Sequence, residues 1–149
     1  MSTRNSPESI LLRTKKGIRH GRHCVFDINT HLVFVTKYRR NVFKKRSLLR
    51  LQEIFSEVLT DFEGELVEFD SEHDHVHLLI RSSPKYSISK IVNSLKGVSS
   101  RYLRQEDFPE IQKKLWGKQL WSPSYYAGSC GGAPVSIIKQ YIESQRTPL

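Results

Sequence analysis

Two short fragments of the chain carry residues able to act together: His75-Val76-His77 and Tyr141-Ile142-Glu143-Ser144-Gln145. On a strand, alternate side chains share a face, so His75 and His77 can meet one cation while Val76 enters the core. On a helix, residues four apart are neighbours, so Tyr141 and Gln145 project from one surface. Two imidazoles, an amide oxygen and a phenol are what metal-assisted phosphoryl transfer needs when one end of a broken nucleic-acid strand must be held covalently. Each fragment also has an ordinary reading. His-x-His pairs occur in zinc hydrolases and as plain sheet histidines, and Tyr141 beside Ile137, Ile138 and Ile142 reads by itself as a core aromatic. The amide of Gln145 one turn onward marks that side of the helix as a polar edge. His73 shares the alternation of His75 and His77, which allows a three-histidine zinc face. Its place in the polar turn Ser71-Glu72-His73-Asp74, followed by Asp74 rather than a core residue, puts it outside the metal set.

Composition bears on the substrate. The chain has 149 residues, a formal charge of +9 and a pI near 9.7, a size that suits one domain with a modest core. Residues 1–50 hold 13 Lys/Arg against Glu8 and Asp27, so the excess of positive charge lies entirely in the first third. A basic segment of this kind attracts polyphosphate and releases counterions on binding. Its first part, residues 1–22, reads as a basic extension that is either a solvated or disordered tail or a nucleic-acid arm. The cluster Lys37, Arg39, Arg40, Lys44, Lys45, Arg46 is interleaved with Tyr38 and Phe43, a mixture suited to stacking on unpaired bases. Cys24 and Cys130 are too few for a disulfide framework and point to a reducing, cytoplasmic setting. No apolar stretch has the length to cross a bilayer, and the polar start lacks a signal-peptide core.

The elements that must hold these groups follow from periodicity. Val25 to Val35 reads as a strand, and the stripe Leu48, Leu51, Phe55, Val58, Leu59, Phe62 predicts a helix from about Lys45 to Gly64. Glu65 to Asp70 and His75 to Arg81 read as strands. A second helical stripe, Ile88, Ile91, Val92, Leu95, Val98, Tyr102, opens at a plausible cap, Ser87. After a long loop with Pro109, Gly117 and Pro123, a fourth strand is expected at Tyr125 to Ser129. Gly131-Gly132 then breaks the chain before a helix from Pro134 through Gln145. The order β-α-β-β-α-β plus a C-terminal helix is an α+β pattern, ferredoxin-like or RRM-like, with an antiparallel sheet covered by helices on one face.

Taken jointly and in order, Thr36-Lys37-Tyr38-Arg39, Asp74-His75-Val76-His77-Leu78-Leu79-Ile80, Leu120-Trp121-Ser122-Pro123-Ser124-Tyr125 and Tyr141-Ile142-Glu143-Ser144-Gln145 resemble the insertion-sequence-200-like transposases. These are small single-tyrosine enzymes of the HUH class, and the likeness runs from about residue 23 to the C-terminus. It implies that His75, His77 and Gln145 bind Mg or Mn and that Tyr141 is the nucleophile. It further implies cleavage and rejoining of single-stranded DNA through a 5′-phosphotyrosine, recognition of hairpins near the element ends, and a homodimer in which the tyrosine helix of one subunit completes the histidine site of the other. Lys37, Arg39 and Arg40, with Lys90, Lys96 and Arg101 on the second helix, are the candidates for the DNA path. Two departures stand out. His73 sits where the family often has proline, and residues 1–22 match no family motif. Three rivals are weighed against this reading. A replication initiator or relaxase shares the histidine pair but usually needs a larger chain or a helicase partner. An idle nucleic-acid-binding domain has no need of Tyr141 and Gln145 in register, and a zinc hydrolase would use His73, His75 and His77.

Overall fold

Along residues 30–35, Thr30, Leu32 and Phe34 face one way and His31, Val33 and Val35 the other, and both sets are covered, so this strand lies in the middle of a three-layer arrangement. The structure, a computed structural model, describes residues 19–21, 23–115, 119–129 and 135–145, with residues 135–139 described by backbone alone. Strands β1 (Arg19–His20) and β2 (Val25–Phe26) pair as a small antiparallel ribbon. The body follows as β3 (Ile28–Val35), a 3-10 turn at Lys37–Arg39, α1 (Lys45–Asp61), β4 (Glu65–Ser71), β5 (His75–Ser82), α2 (Ile88–Gln105), α3 (Pro109–Gln112), β6 (Tyr126–Ser129) and α4 (Val135–Ser144). The main sheet is antiparallel throughout, in the order β4-β5-β3-β6, which is the ferredoxin-like arrangement expected from the sequence.

On one face, Leu32, Phe34, Val76, Leu78 and Ile80 pack with Leu51, Ile54, Phe55 and Leu59 of α1 and Ile91, Val92 and Leu95 of α2. Burying each such side chain is worth about 1.5–3 kcal/mol. The helix ends obey local chemistry. The Ser87 hydroxyl accepts from the Lys90 N–H at 3.2 Å and opens α2. Beyond α1 the chain turns through Glu63 at φ 57°, and the Gly64 N–H donates to the Leu59 carbonyl at 2.8 Å. A Cβ at Gly64 would lie 2.9 Å from the Arg81 carbonyl, so the close approach to β5 requires glycine. On the other face, Val33 and Val35 are covered by Ile142 of α4. The helices therefore occupy both faces, α1 and α2 on one and α4 on the other.

Several expectations shift. The strand foreseen as Val25 to Val35 is broken at Asp27, whose carboxylate accepts from the Asn29 amide at 2.5 Å. Within the stretch read as a basic extension, Arg19 and His20 pair with β2 and the Arg19 guanidinium donates to the Glu63 carbonyl at 2.5 Å. Residues 1–18 and 22 lie outside the described residues, as do Gly131, Gly132 and Pro134. The turn α3, started by Pro109 in its first turn, is too short to show a periodicity. Among the described residues no helix is long and apolar enough to cross a membrane.

Candidate active site

Register decides which groups share the α4-covered face. Val35 is opposite His75 and Val33 is opposite His77, while Val33 is also opposite Tyr126 on the other side of β3. Side chains directly opposite on adjacent antiparallel strands share a face, so both histidines and Tyr126 lie on the face that α4 covers. The rings form a continuous row. Centroid separations are 5.1 Å from His75 to His77, 5.4 Å from His77 to His31, 6.1 Å from His31 to Tyr126 and 6.2 Å from Tyr126 to Tyr141.

Both histidines of the pair are held through Nδ1. His75 Nδ1 lies 2.7 Å from Asp74 Oδ1, and a ring N–H donated there leaves Nε2 with its lone pair. Asp74 is only 5 % exposed, and its other oxygen accepts from the Arg39 guanidinium at 3.4 Å, so this buried carboxylate is paired on both sides. His77 Nδ1 lies 3.2 Å from His31 Nε2. With His77 as donor in that bond, its Nε2 is also free to ligate. Burial lowers the pKa of both His31 and His77, and the neighbouring His75 and His31 add to the effect at His77. Neutral imidazoles are the form that binds metal. His73 stands apart. It is exposed, and it contributes only its carbonyl, which accepts from the N–H groups of Val42 and Phe43 at 3.1 Å. Among the described residues no three His, Cys, Asp or Glu side chains are grouped to hold a metal. His31 went unnoticed as a site residue in the sequence; its alternation was visible, but its diagonal approach to His77 depends on register across 46 residues.

This arrangement carries a prediction. For a divalent ion held by the histidine pair, Asp74→Ala and His31→Ala would each weaken Mn²⁺ binding roughly 10- to 100-fold, the size expected for losing a group that orients a ligand. His73→Ala, a surface change, should leave it within about twofold. Electron paramagnetic resonance of free Mn²⁺ in a titration reads this directly, and an equal loss in His73→Ala would favour the three-histidine zinc site.

The second fragment is held by the loop before β6. The Ser124 hydroxyl lies 2.6 Å from the Tyr141 phenol oxygen, and the Ser122 hydroxyl donates to the Gln145 amide oxygen at 2.6 Å. Tyr141 and Gln145 do project together, one turn apart, as the spacing required. Burial raises the phenol of Tyr141 above its ordinary value, and the bond to Ser124 partly opposes this. The neutral phenol's contribution to α4 docking is therefore fully present below the ordinary phenol value of about 10 and is lost as pH rises through the raised one. Near-ultraviolet titration of wild type against Tyr141→Phe should show one phenol ionising late, with α4 protection lost in step; ionisation at the ordinary value would contradict the buried seat.

The basic candidates divide. Lys90 and Arg101 are exposed on α2, lying over the rings of Tyr86 and Tyr102 at 5.9 and 5.2 Å. Lys37 donates to the Gln119 side chain and lies 5.4 Å from the ring of Tyr38. The Arg40 carbonyl accepts from the Thr36 hydroxyl at 2.8 Å, closing a turn in which Tyr38 and Arg39 have φ of 60° and 55°. Arg39 is committed to Asp74, beside the histidine pair. The Lys96 ammonium donates to the carbonyls of Ser122 at 2.7 Å and Ser124 at 3.0 Å.

Comparison with known proteins accords with this geometry. A family model described as "Transposase IS200 like" matches residues 24–145, and the chain belongs to that family of transposases. It is similar to the ISDra2 transposase TnpA of Deinococcus radiodurans, 33% identical over 128 residues that cover 86% of this chain and 91% of the relative. It is also similar to the transposase for insertion sequence element IS200 of Salmonella typhimurium, 29% identical over 123 residues covering 83% and 80%. Among solved structures, a crystal structure described as that of a Deinococcus radiodurans R1 transposase superposes with a TM-score of 0.77 at 33% identity, covering 88% of this chain and all of the other. A REP-associated tyrosine transposase bound to a REP hairpin shares the fold, with a TM-score of 0.53 at 10% identity and coverage of 85% and 69%.

Proposed function

We propose that the chain cleaves and rejoins single-stranded DNA at insertion-sequence ends through a 5′-phosphotyrosine on Tyr141, with a divalent metal at His75, His77 and Gln145. The observation that carries this reading is the shared face: Ile142 seats α4 over Val33 and Val35, which pair with the two histidines in register. The donor set fits Mg or Mn. The Nδ1 contacts turn both ring Nε2 atoms outward, and an amide oxygen has two lone pairs, of which Ser122 occupies one at Gln145. A bound divalent ion would polarise the scissile phosphate and offset charge that develops on it.

The chain's own groups do the rest. The Tyr141 oxygen forms a bond to phosphorus, the phosphorus–O3′ bond breaks, and the 3′-hydroxyl leaves with the proton that the reaction supplies to it. Reversal by another 3′-hydroxyl regenerates the phenol, so no nucleotide or water is consumed. A phenol is protonated at neutral pH, burial raises this one further, and its proton has to depart as the bond forms. Hairpin recognition is the part of the proposal supported by the fold shared with the REP-hairpin-bound transposase.

The proposal includes a homodimer with sites assembled in trans. In the single chain α4 sits on its own sheet, through Ile142, Tyr141 and the two serine hydroxyls. A second copy offers the same seat, so exchange replaces each contact by its identical counterpart at low cost. The test of the whole reading is to incubate the protein with labelled single-stranded DNA carrying element-end hairpins and Mg²⁺ or Mn²⁺, then look for a denaturant-stable protein–DNA adduct. A non-catalytic binding domain would shift the DNA in a native gel and give no adduct.

A further inference from the structure

The loop Leu120 to Tyr125 supplies two hydroxyls to the tyrosine helix and is itself fixed from two directions. Its first half is tied to the sheet. The Lys37 N–H donates to the Leu120 carbonyl at 2.9 Å, the Ser122 N–H donates to the Val35 carbonyl at 2.8 Å, and Trp121 enters the core with its indole N–H on the Ser99 hydroxyl at 3.0 Å. Beyond Ser122 the backbone loses these partners, and Lys96 takes over. Its ammonium bridges the Ser122 and Ser124 carbonyls, with the rings of Phe34 and Tyr125 at 5.7 and 5.8 Å.

We propose that Lys96 is a positioning residue for the tyrosine helix: from α2 it reaches the loop that runs beside β3 at the edge of the sheet and holds the two residues whose hydroxyls grip Gln145 and Tyr141. The chain of bonds is continuous. One ammonium fixes two carbonyls two residues apart, the intervening Pro123 limits the backbone between them, and each of the two hydroxyls meets one functional side chain of α4 at 2.6 Å. Lys96 is half-buried, and that burial lowers its pKa to about 8. This inference rests on the proposed role of Tyr141 for its consequence in catalysis, but not for its geometry.

The test compares Lys96→Met, which keeps the stem and removes the charge, with Lys96→Arg, which can still donate to both carbonyls. Full-length protein free of DNA and metal is followed by hydrogen exchange. In Lys96→Met, exchange of residues 120–125 and 140–145 should rise about tenfold or more while α1 stays unchanged, because bonds from a charged donor are lost locally. Lys96→Arg should restore most of the protection. The adduct-forming rate should fall about tenfold in Lys96→Met and recover in Lys96→Arg, since a helix held loosely presents its nucleophile out of line. The salt dependence of hairpin binding should not change, whereas loss of a phosphate contact would reduce its slope. Unaltered exchange in α4, equal loosening of α1, or a reduced salt slope would each overturn the assignment. Where Lys96→Met does not fold, Ser122→Ala/Ser124→Ala breaks the same brace at its far end, and unaltered α4 exchange there overturns it equally. Should Tyr141 prove not to be the nucleophile, the rate measurement loses its meaning but the exchange measurement still decides.

Discussion

Tyr141→Phe is expected to lower formation of the covalent protein–DNA adduct by at least about a thousandfold, because in the proposed reaction the deleted oxygen is the atom that bonds to phosphorus. Its other consequences are small. The ring keeps its place beside Tyr126, at 6.2 Å between centroids, and the buried neighbours of α4 are untouched. The lost bond to the Ser124 hydroxyl is a single neutral hydrogen bond, worth about 1 kcal/mol. Hairpin affinity, measured by fluorescence anisotropy, should therefore stay within about twofold. Labelled oligonucleotide on a denaturing gel reads the adduct, and an adduct of wild-type intensity in this variant would end the proposed function.

Mixing two inactive proteins should restore activity from near zero. His75→Ala/His77→Ala removes both imidazoles, and Tyr141→Phe removes the proposed nucleophile. In a heterodimer with exchanged helices, one of the two sites combines an intact histidine pair with an intact tyrosine. With random exchange, half of the dimers are mixed and each has one working site, so recovery is expected to approach about a quarter of wild type. The geometry makes the experiment decisive because the single chain already has a seat for its own α4, formed by Val33, Val35, Tyr126, Ser122 and Ser124. If subunits exchange, as shown by a size or fluorescence tag, and no adduct forms, the helix works on its own histidine pair and the trans arrangement fails.

Much of the candidate site could be read from residue order alone, because its parts are local. His75 and His77 needed only strand alternation, Tyr141 and Gln145 only the helical turn, and Ser87 only the capping rule that its bond to Lys90 bears out. Features that are short or sequence-distant were not legible. The pair β1 and β2, two residues each, has no periodicity to detect. Asp27 looked like one more alternating residue but ends a strand. Lys96 looked like any charge on the polar side of a helix, and nothing nearby in sequence indicates that two carbonyls 26 and 28 residues away would satisfy it.

The sequence by itself determined the order of the main sheet's four strands and of the helices α1, α2 and α4, the antiparallel α+β class and the chemical identities of the histidine pair, the phenol and the amide, because hydrophobic period and side-chain direction are set within a few residues. Only the tertiary structure decided that α4 covers the face opposite α1 and α2, that His31 meets His77, that Asp74 joins Arg39 to His75, and that the serine loop couples Lys96 to Tyr141 and Gln145. The physical reason is register. Which residues stand opposite one another across β5, β3 and β6 depends on how the whole apolar surface is buried at once, and a shift of one residue would turn His75 and His77 into the core and Val76 out of it.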